Sequence, residues 1–210
     1  MLILQKWRLF LFSIQQIIMP DNYFVDTTYK AIDFSAKGFP AGDYEDCTFI
    51  NCIFSGSNLR GSRFADCEFQ DCDLSNAEMV DTAFQEVIFR DCKLLGVHFS
   101  SCRTFRFKVE FVNSQLNWAS FEALSMKTTR FESCQLLGTD FTQADLEKAE
   151  FIGTNLEGAV FSRTNLAGAD FQTADNFMID PEENNLKQAR FSAHSLAGLL
   201  GKYQLRIEGD

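Results

Sequence analysis

The chain has 210 residues, 19 basic and 29 acidic side chains and a formal net charge of −10. The length suits one domain or two small ones, and an apolar content of 46% argues for a packed core over disorder. The acidic balance argues against direct nucleic-acid binding, which needs clustered Lys and Arg, and 2 His leave little room for His-based catalysis or a His-rich metal site.

Residues 1–18 are rich in Leu, Ile and Phe, with only Lys6 and Arg8 charged. The stretch is short for a membrane span and is interrupted by Gln5, Gln15 and Gln16. It also lacks the charge-first order and small-residue cleavage site of a signal peptide. Three readings stay open for it: a hydrophobic extension outside the fold, an N-terminal cap, and a membrane-surface helix, with membrane contact the least favoured.

From residue 19 to 176 a period of five takes over. Stepping by five from Phe34 gives Phe39, Tyr44, Phe49, Phe54, Leu59, Phe64, Phe69, Leu74, Met79, Phe84, Phe89, Leu94, Phe99 and Thr104. The phase then slips by two and resumes at Phe111, running in fives to Phe171. All these centres except Thr104 are large and apolar, and most of the 23 Phe are among them. Neither a helix nor a strand has this period. The residue two before each centre is usually small, and all 7 Cys occupy that slot. Two positions that share a direction in extended backbone, followed by a corner, describe one side of a coil.

Residues 20 apart test for four sides. One column reads Phe49, Phe69, Phe89, Phe111, Phe131, Phe151, Phe171, and in a neighbouring one Cys52, Cys72 and Cys92 lie in line. Columns of like residues are what vertical stacking selects at about 4.8 Å between coils. The Phe column survives the phase slip, so the insertion around Phe105–Glu110 is expected to bulge from one corner without skipping a face.

Residues 177–210 form a C-terminal region of loop, cap and tail. Two more pentad-like units follow the loop at Leu186 and Phe191. Ser192 is placed to cap a short helix, with Leu196, Leu199, Leu200 and Tyr203 on one face as a lid or dimer contact. Gln204–Glu208 reads as a final strand.

The cysteines contain no CxxC pair, and their odd number fits poorly with a secreted disulfide framework. They read as small core residues of a reduced, cytoplasmic protein. No nucleotide, zinc-protease or calcium-loop motif is present, and His98 and His194 fall at surface positions. No cofactor, metal or small-molecule substrate is expected, and no catalytic residue. The chain reads as a non-enzyme whose function lies in its surface.

The segments Ala144-Asp145-Leu146, Thr154-Asn155-Leu156, Thr164-Asn165-Leu166 and Ala169-Asp170-Phe171 match the A(D/N)LXX motif, so the chain resembles the pentapeptide-repeat family. The resemblance implies an all-β, right-handed quadrilateral β-helix of about seven coils with a short C-terminal helical cap. In the run Cys47-Thr48-Phe49-Ile50-Asn51-Cys52 it is similar to the Qnr-type quinolone-resistance subgroup. That likeness implies an acidic DNA mimic that binds a type II topoisomerase, DNA gyrase or topoisomerase IV, and protects it from quinolones. Family members also pair through the C-terminus, which implies a homodimer.

On the four-column layout the all-Phe face carries Glu68, Asp71, Asp91, Glu110, Glu132, Glu150 and Asp170. The adjacent face, centred on Tyr44, Phe64, Phe84, Thr104, Met126, Leu146 and Leu166, is equally acidic, and the other two faces are less so. This acidic side is the candidate binding surface. A general protein-interaction scaffold with another partner is the alternative.

Overall fold

The computed structural model describes residues 22–206. The expectations for residues 1–18, and for the tail beyond Arg206, lie outside them. The described chain winds as a parallel β-solenoid of about eight turns. A nine-stranded parallel sheet forms one side, from Thr28–Lys30 to Arg190–Phe191, and a four-stranded sheet, from Tyr23–Val25 to Ala83–Gln85, forms part of another. Isolated parallel bridges mark the remaining sides, such as Asp33 to Ile53 to Asp73 and Ser120 to Asp140 to Val160. The fold is thus the expected quadrilateral β-helix, with Phe24 in the stack at its N-terminal end, and the stack runs past residue 176, because Phe191 joins it on Phe171.

The centres fill the interior. Phe49 stacks on Phe69 at 4.7 Å and 12°, Phe131 on Phe151 at 5.0 Å and 3°, and Phe151 on Phe171 at 4.6 Å and 12°. Across the coil the rings meet edge-on, as Phe121 and Phe131 do at 79°. Both arrangements suit the ring quadrupole. Each such side chain is fully buried, a contribution of about 1.5–3 kcal/mol in transfer alone.

The slot two residues before each centre is also turned inward, and where it holds Cys, Ser or Thr it carries a donor. Cys72 Sγ lies 3.3 Å from the Phe49 carbonyl, Thr139 Oγ1 donates to Leu116 at 2.9 Å, and Thr164 Oγ1 to Phe141 at 2.8 Å. In each case the acceptor lies 23 residues earlier, on the preceding coil. Cys and Thr thus bond the preceding coil from this slot, whereas Ala at Ala144, Ala149 and Ala169 only fills it. All seven Cys are buried and free. Burial raises the Cys52 thiol and pushes those of Cys67, Cys102 and Cys134 up to about 12.

Corners turn through left-handed residues. Asp46, Asn51, Asp66, Asp71 and Asn76 all have φ between 51° and 54°. Asp and Asn tolerate this region because their short polar side chains bond locally. The Asp or Asn before a centre has a second use: Asp140 Oδ1 accepts from the Thr142 N–H at 2.8 Å, and Asn155 Oδ1 from the Glu157 N–H at 3.1 Å. These Asx turns account for the polar residue of the repeat.

Three expectations are corrected. Thr104 is not a centre. It is exposed together with Phe105 and Arg106, and Phe107 turns inward instead, edge-on to Phe84 at 6.4 Å. The bulge is also narrower than Phe105–Glu110, because Val109–Val112 already pairs in the long sheet, with Phe111 opposite Phe89. At the other end, Gln204 adopts a left-handed conformation, and Leu205 and Arg206 form no strand.

The C-terminal cap is two 3-10 helices, Ala193–Leu199 and Gly201–Tyr203, with Ser192 accepting from the His194 N–H at 3.3 Å. Gly198 touches the coil so closely that a Cβ there would lie 2.2 Å from the Phe177 carbonyl oxygen. No helix among the described residues is long and apolar enough to cross a membrane.

Phe131→Ala should remove a ring stacked on both faces and cost about 3–5 kcal/mol. Urea unfolding followed by circular dichroism measures it, and a loss below about 1 kcal/mol would contradict the stacked-column account.

Candidate interaction surface

The predicted acidic face lies on the long sheet. Glu68, Glu110, Glu150 and Asp170 stand one residue before the Phe column, Glu132 stands one after it, and Asp71 and Asp91 occupy the following corner. The strands bring them together in register but also bring cations. Arg90 pairs with Glu68 at 3.1 Å, Arg130 with Glu132 at 2.8 Å and Arg190 with Asp170 at 3.2 Å. The second acidic face is treated likewise: Arg63 holds Glu45 at 3.2 Å, and Lys127 holds Asp145 and Glu147 at 3.2 and 2.8 Å. The acidic side read from the sequence is therefore interrupted by ion pairs. Such partly exposed pairs contribute little stability, but they cancel much of the local field.

The carboxylates outside those pairs concentrate at corners. Asp26, Asp46, Asp66 and Glu86 follow one another at 20-residue steps along the corner between the two acidic faces, all left-handed and exposed. Asp71 and Asp91 form a shorter row along the next corner. Among the described residues no salt bridge reaches Asp26, Asp46, Asp66, Asp71 or Asp91, whereas Lys108 pairs with Glu86 at 2.7 Å. The Asn113 amide donates to Asp91. Counting charge by face hid the first row, because its members belong to a corner.

Phe105 is a second feature that the repeat did not signal. It is 76% exposed at the one break in the period, beside the exposed Arg106. A large aromatic side chain in that state is a natural anchor for a protein partner.

At the C-terminal end the four predicted cap residues separate. Leu199 packs against the core, whereas Leu196, Leu200 and Tyr203 remain exposed. The last coil is covered from within by buried Phe177 and Ile179. What fastens the cap is polar: Lys202 Nζ bridges Asp180 at 2.8 Å and Glu182 at 2.6 Å, and the Tyr203 hydroxyl donates to Glu182 at 3.0 Å. The Lys202 ammonium holds both carboxyl groups below their ordinary range, and for Glu182 the Tyr203 hydrogen bond adds to it. A shallow groove of ≈ 360 Å³ runs beside this clamp, lined by Val160, Met178 and Gly201.

Acid–base chemistry finds no support here. His98 is exposed, and His194 Nδ1 lies 3.5 Å from Ser192 Oγ on an exposed turn. Among the described residues no three His, Cys, Asp or Glu are grouped to hold a metal ion.

Comparison with known proteins follows the geometry. A family profile described as a pentapeptide repeat region matches residues 43–121 and 124–199. Among solved structures, a trypsin-treated form of QnrB1, a plasmid-mediated fluoroquinolone resistance protein, is 21% identical with a TM-score of 0.51, covering 90% of this chain and 92% of that one. HetL, a pentapeptide repeat protein involved in heterocyst differentiation regulation in the cyanobacterium Nostoc sp. strain PCC 7120, is 17% identical with a TM-score of 0.32, covering 80% of this chain and 84% of that one. The first likeness is one of fold alone, and the second is too loose to carry an argument. No curated protein matches the chain.

The clamp has a pH signature. Because both carboxyl groups titrate below their usual values, their stabilisation of the cap is complete above the ordinary carboxylate range and is lost as pH falls through the lowered values. Limited proteolysis between about pH 5 and pH 2 with an acid protease should show C-terminal cleavage rising severalfold on acidification. Lys202→Met should show that raised cleavage already at the upper end; identical profiles for the two proteins would rule the clamp out.

Proposed function

The chain belongs to the pentapeptide-repeat family, and from that premise we propose that it is a non-enzymatic interaction protein that binds DNA gyrase or topoisomerase IV in place of DNA and protects it from quinolones. The observation that carries the reading is the corner row Asp26, Asp46, Asp66 and Glu86 with its neighbour Asp71 and Asp91. Coils about 4.8 Å apart hold these carboxylates at fixed spacing on a rod, as a duplex holds its phosphates. A basic DNA-binding saddle would be attracted to such rows and steered onto them. Occupying the saddle keeps DNA out and so prevents the drug-stabilised cleavage complex. Reduced thiols and a soluble enzyme target suit the cytoplasm.

The test is DNA supercoiling by purified gyrase with a fluoroquinolone. Added protein should restore supercoiling, and no rescue at micromolar protein would reject the proposal. Asp46→Asn, Asp66→Asn, Asp71→Asn and Asp91→Asn combined should weaken binding about tenfold or more at low salt and less at high salt. Asn tolerates the same left-handed corner, so the fold is kept.

The exposed Phe105 favours a second reading, a protein-interaction scaffold with a different partner. Under that reading the four Asp→Asn changes leave binding intact, and Phe105→Ala abolishes capture of the partner in a pulldown.

The exposed Leu196, Leu200 and Tyr203 support a homodimer joined at the C-terminus. Leu196→Glu with Leu200→Glu should convert a dimer to a monomer in sedimentation equilibrium; a parent chain already monomeric at high micromolar concentration removes this part of the proposal.

A further inference from the structure

Half a coil separates the acidic corner row from the corner that carries Gly56, Asn76, Gly96, Trp118, Gly138 and Gly158, so the two run along opposite edges of the rod. All six of these residues are left-handed. Five are Gly or Asn, which suit that conformation, whereas a bulky side chain there is an outlier. Burial does not hold the Trp in place, since Trp118 is 60% exposed. The next coil makes room for it: a Cβ on Gly138 would lie 2.9 Å from the indole Cδ1 and 3.2 Å from Nε1. The ring thus rests against a bare corner with the rest of its surface in water. Backbone strain that leaves an aromatic side chain exposed points to a contact outside the fold.

The apolar surface continues from there toward the cap. Gly138 and Gly158 add no side chain to the corner, and beyond them Val160 and Met178 are 46% and 63% exposed and line the groove beside the Lys202 clamp. Trp118 and Met178 stand three coils apart, about 14 Å along the rod. Carboxylates rim this strip. Asp140 stands in register between Ser120 and Val160, Glu157 precedes Gly158, and Glu183 lines the groove. Among the described residues no salt bridge reaches these three, and the cation of the groove, Lys202, is held by Asp180 and Glu182. Charge therefore selects the occupant. A second copy of this chain, at a net charge of −10, would be repelled, whereas a basic segment would be attracted.

We propose that this edge is a second docking surface, taken by a basic amphipathic segment of a partner protein. The segment seats a large apolar side chain between Val160 and Met178 and lays a Lys or Arg over the Trp118 indole, whose face attracts a cation. The surface does not depend on the topoisomerase reading, which uses the opposite edge.

The experiment uses the full chain with Trp7→Phe, which leaves Trp118 as the single Trp of the 2 present. Random peptides displayed on phage are selected against it, with its Trp118→Gly variant as counter-target. Gly fits this left-handed corner, as at Gly138, so the fold is kept. Recovered peptides should combine a large apolar side chain with an excess of Lys and Arg. Made synthetically, they should shift Trp118 emission saturably, and by titration calorimetry bind the Trp118→Gly variant about tenfold or more weakly. Met178→Ser should weaken them as well, and Asp140→Asn, Glu157→Gln and Glu183→Gln combined should do so mainly at low salt. The four changes Asp46→Asn, Asp66→Asn, Asp71→Asn and Asp91→Asn should alter peptide binding less than about twofold, so the two proposals fail separately. The proposal is overturned if no peptide is recovered, if recovered peptides bind the Trp118→Gly variant as tightly, or if they carry no excess of Lys and Arg. It is also overturned if Trp118 becomes shielded without peptide as protein concentration rises, because the occupant is then a second copy.

Discussion

Every coil must sit in register on the one before it, and that axial spacing governs the rest. Parallel pairing sets each residue over its counterpart from the previous turn at about 4.8 Å. A flat ring stacks comfortably at that distance, and the Phe column does so with its planes within 19° of parallel from Phe49 to Phe171. The same spacing leaves the neighbouring inward slot narrow, so it holds mostly Cys, Ser, Thr or Ala, with Val87, Val97, Val109 and Leu124 the larger occupants. It also brings a carbonyl of the preceding coil within reach, so a thiol or hydroxyl there is bonded as well as buried. Core volume and backbone satisfaction are thus solved by one pair of positions per side.

That economy explains why the fold could be read from the sequence. A period of five with a second period of 20 leaves few other solutions, and the Phe column passed through the phase slip as the spacing required. The bulge was legible only in outline. Thr104 holds the phase in sequence, yet Phe107 offers far more apolar surface to the space beside Phe84, and burial decides between them. The ends were less legible still. Leu196, Leu199, Leu200 and Tyr203 share a helical spacing, but 3-10 geometry and the Lys202 clamp set only Leu199 against the core. Spacing encodes stacking; it says little about where stacking stops.

Charge follows different rules at faces and at corners. On a face, a side chain has neighbours on adjacent coils, so an acid such as Glu68 lies within reach of a cation such as Arg90, 22 residues later. Sequence counting places both the acids and cations such as Arg63, Arg90, Lys127 and Arg130 on these faces but does not pair them, because pairing across coils joins residues far apart in the chain. At a corner the left-handed backbone selects Asp, Asn or Gly for conformation first.

Because Asn or Gly would serve the turn equally well, an Asp at a corner is a choice of charge that the fold does not demand. The row Asp26, Asp46, Asp66 and Glu86 repeats that choice, although like charges at this spacing repel. Farther along, the same corner carries Lys108, which pairs with Glu86, and then the left-handed Thr128, Lys148, Gly168 and Gln188, none of them acidic. The left-handed turn returns from Thr128 onward, but the carboxylates stop at the insertion that presents Phe105. A constraint of folding would have no reason to end there. The proposed contact with a basic partner would, and the carboxylates outside salt bridges at Asp26, Asp46, Asp66, Asp71 and Asp91 lie in the same half of the molecule as the exposed Phe105.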